Sequence, residues 1–106
     1  MISRRSIQRV CAQIARKFHP EKIILFGSHA YGRPRADSDV DLLVIMPCPG
    51  RPTDQAVAIS QSLDHVIPVD LMVRTPEEVR QRVAWNDCFL REATEKGVIM
   101  YEAAGA

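Results

Sequence analysis

Apolar residues recur every three or four positions from Ile7 to Phe18. Ile7, Val10, Cys11, Ile14, Ala15 and Phe18 form one stripe, and Arg5, Arg9, Gln13 and Arg16 line the opposite side. The spacing predicts an amphipathic helix, with Ser3 as N-cap and Pro20 beyond its end. The pattern then changes. Lys22 to Phe26 and Val40 to Met46 are short, nearly continuous apolar runs that read as strands, the second closed by the turn signal Pro47-Cys48-Pro49-Gly50. Thr53 to about Leu63 is a weaker helical segment, with Ala56, Ile59 and Leu63 on one side. Pro68 introduces a third strand, Val69 to Val73. Thr75-Pro76-Glu77-Glu78 is a helix start, with Thr as N-cap, Pro at the first helical position and Glu closing a capping box. Asp87 to Lys96 reads as a last helix stopped by Gly97, and Val98 to Tyr101 as a fourth strand. Strands interleaved with helices predict an α+β (α/β-like) fold: a small mixed β-sheet with helices packed on it, in one domain spanning 1–106.

Composition narrows this picture. A chain of 106 residues buries roughly two thirds of its unfolded surface. An apolar content of 46% argues against disorder. No apolar run approaches the roughly 20 residues that span a bilayer, and the basic N-terminus has helical periodicity rather than the apolar core of a signal peptide. Cys11, Cys48 and Cys88 are odd in number and show no paired spacing, so they read as reduced thiols of a cytoplasmic protein. No repeat or low-complexity tract occurs, and the net charge of +1 gives no sign of direct nucleic-acid binding. Charge is nevertheless uneven: up to Thr53 there are nine Lys or Arg against four Asp or Glu, and beyond it five against nine. Scattered charge of this kind usually marks solvated faces; the sharper reading is a basic half that meets a phosphate-bearing ligand.

One stretch stands out. In "ILFGSHAYGRPRADSDVDLLVI" the acids Asp39 and Asp41 open an apolar strand. Alternation along a strand points them to one face, about 6.7 Å apart along the backbone. Asp70 in "VDLMV" has the same character. Three such acids from neighbouring strands would repel one another and raise each other's pKa, a conflict a divalent cation removes. All-oxygen ligands favour Mg²⁺ or Mn²⁺ over zinc. Gly27-Ser28 follows the first strand, where glycine lets the backbone approach a ligand, and a helix starting at Ser28 would offer free amides and a dipole to an anion before Gly32 ends it. Phosphate-binding amides beside metal-binding carboxylates suit two-metal phosphoryl or nucleotidyl transfer. A P-loop is excluded, since no Gly-Lys-Ser/Thr occurs. Taken singly, Asp-x-Asp is a common solvated turn, Gly-Ser after a strand a plain turn, and Asp70 an edge acid facing water. His29, Arg33 and Arg35 read as solvated loop residues with phosphate contact as the alternative, His19 and His65 lack partners at ligand spacing, and Trp85 reads as a packing or interface residue.

Gly27-Ser28, ten residues, then Asp39-Val40-Asp41 resembles the signature of the polymerase-beta-type nucleotidyltransferases. Within them the chain is similar to the minimal nucleotidyltransferases, the MNT-domain antitoxins. The resemblance runs through "HPEKIILFGSHAYG", "SDVDLLVI" and "IPVDLMVRTPEE" to "FLREATEKGVIMYE" and covers nearly the whole chain. It implies the palm-like nucleotidyltransferase fold. It implies that Asp39 and Asp41 ligate both Mg²⁺ ions, that Asp70 completes the catalytic metal site and helps deprotonate the acceptor, and that Gly27 and Ser28 hold the β- and γ-phosphates of ATP. It further implies a HEPN-domain RNase toxin as partner, silenced by AMP transfer, and leaves homo- or hetero-oligomerisation open. The alternatives are an antitoxin module that acts by contact alone and transfer to a small molecule such as an aminoglycoside, the latter needing an acceptor domain. The position before the second glycine, an arginine in many relatives, is Tyr31.

Overall fold

The computed structural model describes residues 2–35, 38–64 and 67–104. Its elements follow the order α1 (Arg4–Phe18), β1 (Lys22–Phe26), α2 (Ser28–Tyr31), β2 (Val40–Ile45), α3 (Pro52–Ser62), β3 (Val69–Arg74), α4 (Pro76–Ala84), α5 (Cys88–Lys96) and β4 (Val98–Glu102). The chain is thus α+β, as the hydrophobic pattern predicts, and each predicted element is present within a residue or two. His65 lies outside the described residues.

The four strands form one mixed sheet in the order β3-β2-β1-β4. β1 runs antiparallel to both β2 and β4, and β2 runs parallel to β3. The parallel pair requires a crossover, which α3 supplies. Both central strands are apolar on both faces because helices cover both. On one face Ile23, Leu25, Leu42 and Val44 pack against Ile7, Val10, Cys11 and Ile14 of α1 and Ile59 of α3. On the other, Ile24, Phe26, Leu43 and Ile45 pack against Leu90 and Ala93 of α5, with Val79 and Val83 of α4 beside them. The alternation of strand side chains thereby splits the interior into two half-cores.

Local chemistry sets the helix ends. Ser3 caps α1 by accepting from the Ser6 amide at 3.1 Å. Thr75 and Glu78 form the capping box of α4, with reciprocal bonds of 3.1 Å. Asp87 caps α5 by accepting from the amides of Phe89 and Leu90. Gly97 stops α5, as the sequence reading expects, with an ordinary extended backbone of φ −67°. It is needed for space: an added Cβ would sit 2.5 Å from Ile24 Cγ2 and 2.9 Å from the Leu25 carbonyl. Trp85, read from sequence as a packing or interface residue, is 71% exposed and so lies outside the core. Among the described residues the three cysteines are free, and no helix is long and apolar enough to cross a membrane.

Candidate active site

Strand register gathers the acids. Asp41 pairs with Phe26 across β1 and with Asp70 across the parallel β3. Its neighbours Val40 and Leu42 point into the half-core under α1, so Asp41 faces the opposite side with Leu43 offset beyond it. Asp70 shares that face with Met72. Asp41 is half-buried; Asp70, on the edge strand, is exposed. Asp39 lies just before β2 rather than in it and is exposed. The Val40 amide donates to the Pro68 carbonyl at 3.0 Å, which holds the approach to β2 against the approach to β3. Asp39 and Asp70 therefore sit on adjoining segments.

The turn after β1 closes the site from the other side. Gly27 has φ +75°, a conformation natural to glycine, and its carbonyl accepts from the amides of Ala30 and Tyr31 to start α2. An added Cβ at Gly27 would run into Asp41 Oδ2 and lie 3.2 Å from Asp41 Cγ. The Gly-Ser turn and the Asp41 carboxylate are therefore in immediate contact, and only glycine fits between them. α2 is a single turn of four residues, too short for a substantial macrodipole, so any pull on an anion comes from its first free amides and the close backbone approach.

Electrostatics confirm the proximity. The pKa of Asp41 is pushed upward, first by burial, then by the charge of Asp70, then by that of Asp39, with His29 partly offsetting them. Among the described residues, none of the three acids has an ion-pair partner. His29, read from sequence as a solvated loop residue, is half-buried, and its Nε2 lies 3.2 Å from the Ser38 carbonyl. It thus ties α2 to the residue before Asp39. No sequence signal marks this role, because the contact joins positions in different elements. Arg33, Arg35 and Tyr31 are exposed. A cleft of about 200 Å³ opens along β3, lined by Phe26, Thr53, Asp70, Met72 and Arg74.

The donor set suits a hard divalent cation such as Mg²⁺: carboxylates only, two of them at facing register positions on one face, with no Lys or Arg paired to them among the described residues. As the side chains stand, no three His, Cys, Asp or Glu donors among the described residues are close enough to share an ion. The full convergence expected from sequence is thus not drawn up in this arrangement. Asp39 and Asp70 are both exposed to solvent.

A small mixed sheet that carries acids beside a glycine turn is the frame of a nucleotidyl-transfer domain. Residues 7–97 match the family model described as "Nucleotidyltransferase domain", and the chain belongs to that family, as a minimal member of the nucleotidyltransferase superfamily. Its fold is similar to the crystal structure of a protein from Sulfolobus solfataricus assigned as a nucleotidyltransferase, with a TM-score of 0.64 and 20% identity over 94% of this chain and 80% of that one. No curated protein matches the chain.

Proposed function

We propose that the protein is an Mg²⁺-dependent adenylyltransferase that moves AMP from ATP onto a protein acceptor, a HEPN-type toxin that it thereby silences as an antitoxin. The observation that carries this reading is the juxtaposition of the Gly27-Ser28 turn with Asp41, and of Asp41 with Asp70 in strand register. Family membership supplies the reaction class.

In this reading the amides at Gly27 and Ser28 hold the triphosphate. Asp39, Asp41 and Asp70 would hold Mg²⁺, which would neutralise the carboxylates and the phosphates. The acceptor hydroxyl oxygen bonds to the α-phosphorus, the bond to pyrophosphate breaks, and Asp70 takes the hydroxyl proton. Two features favour a macromolecular acceptor. Asp70 is exposed on an edge strand, open to a hydroxyl presented on another surface. The adjoining cleft of about 200 Å³ is smaller than the roughly 300–1,000 Å³ of pockets that enclose small molecules.

The test is direct. Purified protein, ATP labelled on the α-phosphate, Mg²⁺ and a HEPN-type toxin, if one is encoded beside it, should give a labelled toxin heavier by one or more AMP units, and EDTA should abolish the label. Stoichiometric inhibition of the toxin without a change in mass would instead establish the contact-only antitoxin.

A further inference from the structure

We infer that Phe89 is a stacking platform for the base of the nucleotide, a role that rests on the nucleoside-triphosphate reading of the site. Four observations lead there. Phe26 is the last residue of β1 and the register partner of Asp41, so it lies against the acid site. The Phe89 ring meets it edge-to-face, with centroids 5.4 Å apart and planes at 89°. In a perpendicular pair at least one face of the Phe89 ring stays uncovered by its partner, and 47% of Phe89 is exposed. Finally, α5 does not need this ring to dock: its buried face is Leu90 and Ala93.

The ring is also held in place before any ligand arrives. The Phe89 amide donates to Asp87 Oδ1 at 3.1 Å within the N-cap of α5, and contact with Phe26 restricts the side chain. A preorganised aromatic loses little freedom on binding. Its contact Phe26 is the last residue of β1, immediately before Gly27 and paired with Asp41. Triphosphate held at that turn leaves the nucleoside to extend over neighbouring surface, where this ring is an exposed aromatic in direct contact with Phe26; Tyr31 of α2 is exposed as well. Stacking recognises the π-face common to every base, so the platform takes nucleoside triphosphates as a class rather than ATP alone.

Calorimetry in Mg²⁺ with two probes, ATP and inorganic tripolyphosphate, separates the base from the phosphates. Phe89→Leu keeps an apolar side chain against Phe26 but removes the ring. It should weaken ATP about tenfold, the scale of one lost stacking contact, and leave tripolyphosphate within about twofold. Phe89→Tyr should keep both affinities. An equal loss for both probes, or no loss for either, overturns the platform while leaving the nucleotide site intact. If the parent protein binds neither probe, the nucleotidyl-transfer reading itself falls. Melting curves of each variant show whether the fold is preserved.

Discussion

At the scale of single residues, the site rests on a conflict between charges. Asp41 is half-buried and its pKa is raised by burial and by Asp70 and Asp39. For an acid whose folded pKa lies above its unfolded value, the folded state holds the proton longer, so stability is lost as pH rises through the carboxylate range. At neutral pH the Asp41 charge therefore works against folding. Asp70→Asn removes one charge with little change of shape. The melting temperature should hold or rise slightly at neutral pH, with the gain limited by solvent screening at this exposed position. ATP binding should survive, because the Gly27-Ser28 turn and Asp41 are untouched. Single-turnover transfer should fall by roughly 10² or more, the scale of a lost general base or key charge. Transfer within about threefold of the parent would remove Asp70 from the reaction and return it to the role of a solvated edge acid.

At the scale of elements, the sequence was informative wherever a signal is local. The capping box at Thr75 and the stripe of α1 each lie within a few positions, and the structure contains both; Asp41 and Asp70 meet in register, while Asp39 lies just outside β2. Long-range facts were not legible: the order β3-β2-β1-β4, the bond from His29 to the Ser38 carbonyl, and the meeting of Phe89 with Phe26. These depend on which surfaces the half-cores bring together, and no spacing in the chain encodes that. Gly97 shows the boundary well. Sequence correctly marks it as the end of α5, and the structure adds the reason for glycine: a Cβ would run into the Ala93 carbonyl of α5 itself as well as Ile24 and the Leu25 carbonyl of β1. Gly97→Ala is accordingly expected to destabilise through overpacking against Ile24 and the Leu25 carbonyl, by about 1–3 kcal/mol. A drop of roughly 5 °C or more in melting temperature would register it. An unchanged melting temperature would mean that α5 can shift on the sheet without cost.

At the scale of the whole molecule, burial couples folding to alkaline pH through the half-core under α1. Cys11 is 2% exposed, packed in one apolar cluster with Ile7, Val10 and Ile14. Its pKa is pushed up to about 12 by that burial. In the unfolded chain the thiol ionises near its ordinary value of about 8.5. Between those limits the unfolded state gives up a proton that the folded state keeps, so stability falls as pH rises, by up to roughly 1.4 kcal/mol per pH unit from this one group. Asp41 acts in the same sense in the acid range, so neither group supplies a reason for the fold to strengthen with rising pH. Other groups titrate in alkali too, and a paired comparison isolates the thiol. Cys11→Val keeps an apolar side chain of similar volume and has no proton to lose. Denaturant unfolding of both proteins at about pH 8 and about pH 10 should show the parent losing more stability across the interval than the variant, by at least about 1 kcal/mol. Parallel losses would show that Cys11 ionises without opening the core, and that the half-core under α1 admits water more readily than its packing suggests. Cys88 is exposed, so any alkaline effect of its thiol is common to both proteins and cancels in the difference.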